Sequence, residues 1–237
     1  MKSSPVQLAD VRVLLRGEPG PIRDWMERWS LARFALCVAV IVAGTAAFGA
    51  ALGSWRAPRQ ALYTAIKLPL ILLLTTGGNG LLNAMLAPLF GLNLGARQSL
   101  LAVLLSFTIA AVILGGFSPV LWFLIWNVPL MSTDLRASFS SHSIILIVET
   151  LMIAIAGLAA NLRLFQLLNQ LSGSRGIARR VLFGWLAGNL LLGSQLAWIL
   201  RPFVGSPVLE VEFLRPHAFE GNFYEIIWAA LRQLFSS

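Results

Sequence analysis

Charge all but disappears from residues 31–53, 143–162 and 181–200. Each stretch is about twenty residues long, which is the helix length that a hydrocarbon core roughly 30 Å thick requires. Three such runs predict an integral membrane protein built from helices. Tryptophan brackets the first run, with Trp25 and Trp29 before it and Trp55 after it. That is the pattern of side chains seated at both membrane interfaces.

The middle of the chain is harder to divide. Residues 61–92 are almost continuously apolar, yet as one helix they would measure about 48 Å, long for a single upright crossing. They contain Lys67, Pro69, Gly77-Gly78-Asn79-Gly80 and Pro88. Glycine weakens helices, so the pattern predicts a broken, kinked or re-entrant element near 77–80. Residues 98–131 raise the same question, with Gly115-Gly116-Phe117-Ser118-Pro119 as the interruption.

Composition narrows the class. Apolar residues make up 57% of the chain and charged residues 12%. A soluble domain devotes about a quarter of its residues to charge, so this chain needs lipid as its solvent. The net charge of +8 raises nucleic acid as a partner. The basic residues, however, sit at helix ends and in short loops, where anionic headgroups attract them, and no nucleic-acid partner is expected. Basic and acidic residues alternate through the first thirty positions with no early apolar core, so this segment is not expected to be a secretory signal.

Lysine and arginine also orient the chain. With one net crossing each for 61–92 and 98–131 and the N-terminus inside, ten basic residues fall inside and three in the outer loops. Letting 98–131 cross twice changes the split to seven and six. The positive-inside rule favours the first, although a re-entrant 61–92 with two crossings in 98–131 also gives five. The expected fold is therefore an all-α, polytopic helical bundle with about five net crossings and one or two broken or re-entrant helices. Residues 1–30 form a cytoplasmic amphipathic segment, 31–201 the transmembrane domain and 202–237 an extracytoplasmic tail. The expected location is a bacterial inner membrane, with the N-terminus cytoplasmic.

Small residues mark helix faces that can approach closely. Thr45, Gly49 and Gly53 recur every four residues, as do Gly184 and Gly188. Such spacing serves packing within the chain or docking on a partner helix. At membrane depth the sharpest polar group is Glu149, because an unpaired charge there costs at least about 2.5 kcal/mol. Lys67, in an equally apolar run, is its candidate counter-charge. The pair reads as a proton or cation site, or as a structural ion pair. Asn83, Asn127, Asn161, Asn189 and Gln195 are expected to hydrogen-bond between helices, each worth roughly 0.6 kcal/mol. Arg175, Arg179 and Arg180 cluster beside the last span, where they set orientation or contact anionic headgroups.

The tail changes character after Pro202, with three prolines in residues 202–221 and acidic Glu210 and Glu212. Asn222 and Glu225 resemble a capping box for an amphipathic helix over 223–235, too short to span and suited to the interface or a second subunit. Motifs for catalysis are missing. His142 and His217 lie far apart, and there is no His-Glu-x-x-His, Cys-x-x-Cys, phosphate loop or Gly-x-Ser-x-Gly. Cys37 sits within the first span and excludes an intrachain disulfide. No catalytic, metal or cofactor site is expected.

Residues Ala65-Ile66-Lys67-Leu68-Pro69-Leu70-Ile71-Leu72-Leu73-Leu74-Thr75, following a glycine-rich first helix, resemble the second-span signature of Yip1-like membrane proteins. That resemblance implies five helices and a cytoplasmic N-terminus; eukaryotic members organise membrane traffic with small GTPases. The tryptophan-rich 122–126 segment and the long tail depart from the pattern, and no functional residue carries over. Two functions are expected from the residues themselves. One is a non-catalytic scaffold or accessory subunit that contacts lipid and other membrane subunits or a second copy. The other is a small transporter or channel component using Glu149 and Lys67.

Overall fold

The computed structural model describes residues 30–129, 135–207, 210–225 and 228, with the side chains of 135–137 excepted. Among the described residues five long helices follow one another: α1 Leu31–Ser54, α2 Pro58–Leu89, α3 Ala96–Asn127, α4 Leu135–Ser172 and α5 Arg175–Leu200. All five are long and apolar enough to cross a membrane. Leu62, Leu81, Phe123, Ile147, Leu158 and Phe183 point outward. An apolar exterior of this extent is stable only against hydrocarbon, and the chain is a multi-pass membrane protein in contact with lipid.

The connections are short, so successive helices run antiparallel. Helices α2, α3, α4 and α5 close a ring, each packed on the next, and α1 lies along the groove between α2 and α3. Five passes bring Ser30 and Arg201 to opposite ends of the bundle. One core cluster joins Phe48, Leu52 and Trp55 to Leu121 and Ile125 of α3 and Ile145 and Met152 of α4. A second, at the other end, gathers Ala87, Leu94, Leu164, Leu168, Val181 and Trp185.

The expected break at 77–80 is absent: α2 is helical from Pro58 to Leu89, straight through Gly77-Gly78-Asn79-Gly80. Nor do Gly115, Gly116 and Pro119 interrupt α3. The reason is the solvent. Glycine costs a helix about 1 kcal/mol relative to alanine. An unpaired backbone group in hydrocarbon costs several kcal/mol, so the helix holds. Several of these glycines are instead recesses for neighbouring helices. A Cβ on Gly80 would stand 2.5 Å from Leu100 Cδ1 of α3, and one on Gly78 would stand 2.9 Å from Leu192 Cδ1 of α5.

The Thr45–Gly49–Gly53 face of α1 lies on the first half of α2. A Cβ on Gly49 would be 2.5 Å from the Thr64 carbonyl oxygen, and one on Gly53 would be 2.5 Å from that of Gln60. Gly44, one residue earlier than this face, abuts the Ala111 carbonyl of α3. On α5, Gly184 receives the Phe90 ring and Gly188 the Asn79 side chain. Of the expected helix over 223–235, residues 223–225 and 228 are helical and the remainder lie outside the described residues, as does the 1–29 segment.

Candidate functional site

Helix α2 carries a polar stripe on its buried side. Gln60, Thr64 and Lys67 are each fully buried, and at spacings of four and three residues they share one face. What they face is the start of the tail, where the chain leaves α5 and turns back against α2. Gln60 Nε2 donates to the carbonyl oxygens of Pro202 at 2.9 Å and Phe203 at 3.0 Å. Thr64 Oγ1 donates to Phe203 O at 2.6 Å. Lys67 Nζ donates to Pro202 O at 3.1 Å. Irregular backbone survives beside a membrane bundle only where something satisfies its carbonyls, and this stripe does so.

Aromatic and basic residues extend the same attachment. Phe213 stands edge-on to Tyr63 at 5.4 Å between centroids, and Lys67 Nζ lies 5.4 Å from the centre of its ring. Arg56 Nε donates to Ser206 O at 2.9 Å, and its side chain packs on Gly205, whose φ of +95° suits glycine. Trp55 Nε1 donates to Pro129 O at 3.2 Å, fastening the α3–α4 connection to the same end. The tail is strapped across the end of the bundle that holds the α1–α2 turn.

Farther along α2, Thr75, Thr76, Asn79 and Asn83 continue the buried stripe toward α5. Asn79 Nδ2 donates to Asn189 Oδ1, which ties α2 to α5. Asn83 is fully buried, and neither end of its amide has a partner among the described residues. The expected pattern of interhelical asparagines therefore holds for Asn189 alone. Asn127 and Asn161 bond back to the carbonyls of Phe123 and Gly157 in their own helices. Gln195 accepts from the Phe223 backbone N–H at 3.2 Å, so it holds the tail rather than a helix.

The expected Lys67–Glu149 pair does not form. Lys67 is committed to Pro202, whereas Glu149 lies on α4, nine-tenths buried, with no partner for Oε2 among the described residues. The reason is geometric: α2 and α4 are opposite members of the ring and have no substantial contact. Arg175, Arg179 and Arg180 are exposed at the start of α5, beside the tight turn at Gly173 and Ser174. No group of three His, Cys, Asp or Glu side chains suited to a metal occurs among the described residues.

Gln60, Thr64 and Asn79 were not foreseen from sequence. The signal was present in their register with Lys67, since 60, 64, 67, 71, 75, 79 and 83 repeat at spacings of three and four. No protein family, curated protein or solved structure matches the chain.

Proposed function

We propose that this protein is a non-catalytic membrane scaffold or accessory subunit, presenting its strapped tail as a platform to a membrane partner or a second copy. One observation carries this reading. The most buried cation of α2 and the two polar residues beside it are spent on holding the tail backbone, not left open toward a substrate. Beyond the strap the tail exposes Leu214, Phe219 and Trp228, apolar groups that suit burial by another protein or by the interface. The lysine and arginine asymmetry supports a cytoplasmic N-terminus in a bacterial inner membrane, with the platform outside. The five-helix order is the one that the Yip1-like resemblance implies, and a trafficking role does not follow from it.

The test is purification in mild detergent from the native membrane, comparing the natural protein with the Gln60→Leu, Thr64→Val double variant. A stoichiometric membrane protein should accompany the first and be lost from the second. If the natural protein elutes alone as a monomer, the accessory-subunit reading fails.

A second reading has its own observation. Glu149 is a buried carboxyl with an unpartnered oxygen among the described residues, as expected of a proton or cation site in a small transporter. Loss of ion-coupled flux in Glu149→Gln proteoliposomes would establish it.

A further inference from the structure

Where α5 ends, three nitrogen donors lack acceptors. Arg215 Nε and Nη2 are withdrawn from solvent with no hydrogen-bond partner among the described residues, and so is Nε1 of Trp198, a buried residue in the last turn of α5. Buried donors are nearly always satisfied, so a group of three in one place calls for an acceptor. Two guanidinium groups converge there. Arg201 lies over the Trp198 ring at 3.1 Å from its centre and Arg215 at 5.0 Å. Burial, and after it the nearby charge of Arg215, hold the Arg201 pKa below its ordinary value. Beside them opens a groove of about 270 Å³ lined by Pro202, Glu210, Glu212, Arg215 and Pro216. Neither glutamate pairs with either arginine among the described residues.

The groove thus has a cationic side and an anionic side, and it lies at the membrane-interface end of α5. We propose that it binds the headgroup of a zwitterionic phospholipid with a primary amine, such as phosphatidylethanolamine. Arg215 on the groove wall, with Arg201 beside it, receives the phosphate, and Glu210 and Glu212 receive the ammonium. Guanidinium forks match phosphate oxygens, and a primary ammonium offers three donors to carboxylates where a quaternary one offers none. Contact with the Trp198 ring holds both arginines at this end of α5.

The experiment is native mass spectrometry of the full chain, delipidated in detergent. It is titrated separately with dioleoyl phosphatidylethanolamine, phosphatidylcholine and phosphatidylglycerol. The ethanolamine lipid should bind about tenfold more tightly than either other lipid. Arg215→Gln should reduce that binding by about tenfold. The Glu210→Gln, Glu212→Gln double variant should keep phosphate binding and raise phosphatidylglycerol to the level of the ethanolamine lipid. Soluble phosphoethanolamine at millimolar concentration should fail to displace the lipid. Equal binding of the three lipids by the natural protein, or undiminished binding of the ethanolamine lipid by Arg215→Gln, overturns the proposal. Tightest binding of phosphatidylglycerol would mean a plain anion site, and full displacement by phosphoethanolamine a soluble ligand; each rejects the lipid assignment. Arg215→Lys, which keeps charge but loses the fork, should fall between and guards against misfolding as the cause.

Discussion

The Lys67 ammonium donates to the carbonyl oxygen of Pro202 at 3.1 Å, across 135 residues of sequence. The same oxygen accepts from Gln60 Nε2 at 2.9 Å. Two donors from one helix therefore share one acceptor on the tail, and each partly covers for the other. Lys67→Met alone should cost about 1 kcal/mol, because Gln60 still satisfies the carbonyl. Gln60→Leu with Lys67→Met should cost more than the two single changes together, by about 0.5 kcal/mol or more. Thermal unfolding in detergent measures the four states, and strict additivity would show that the carbonyl is not shared.

Glycines of α1 and α2 should respond oppositely to the same substitution. Gly49→Ala drives a methyl against the Thr64 carbonyl at 2.5 Å, an atom of a helix backbone that cannot yield, and should cost about 1–3 kcal/mol. Gly77→Ala meets nothing within 4 Å and should stabilise α2 by up to about 1 kcal/mol. Comparable destabilisation by both would mean that the α1–α2 packing is not as close as described.

This contrast shows what the sequence could and could not reveal. Helix number and type were legible because lipid imposes length and apolarity on every crossing, and the four-residue spacing at Gly49 and Gly53 correctly marked a close-packed face. The cluster around Asn79 misled because glycine's breaking tendency is calibrated in water, whereas hydrocarbon penalises an open backbone more heavily. Pairing Lys67 with Glu149 failed for a different reason. Depth in the membrane can be read from hydropathy, but which helices are neighbours in the ring cannot. The acceptor that Lys67 found is a tail backbone carbonyl, and a carbonyl leaves no mark in a sequence.

Asn83 offers a buried amide with no partner among the described residues, and that has a consequence for stability. Asn83→Leu has nearly the same shape and removes the desolvation cost of two polar atoms. It should raise stability by about 1–3 kcal/mol. Asn79→Leu, by contrast, breaks the bond to Asn189 and should lower it, by roughly 0.6 kcal/mol. A loss of stability in Asn83→Leu would reveal a water or ligand held by that amide.

Five passes fix which positions share a side. In a background carrying Cys37→Ala, cysteines at Ser4 and Ser174 should react with an impermeant maleimide from one face of the membrane, and a cysteine at Glu210 from the other. Labelling of Ser4 and Ser174 from opposite faces would refute the five-crossing bundle.

Glu149 separates the two functional readings most directly. Its neighbours in sequence, Ile145 and Met152, belong to the apolar core that joins α4 to α1 and α3, so the carboxyl borders a region with little to solvate a charge. Glutamine keeps the size and removes the charge. In a scaffold, Glu149→Gln should leave partner recovery intact and hold or raise the melting temperature, since an unpartnered acid leaves the interior. In a transporter the same variant should melt no lower yet lose coupled flux, because the group that takes up the proton or cation is gone. Measuring melting and flux on one preparation distinguishes these outcomes. Flux no different in Glu149→Gln from that of the natural protein rejects the transport reading, and the scaffold reading then stands on the strap of Gln60, Thr64 and Lys67.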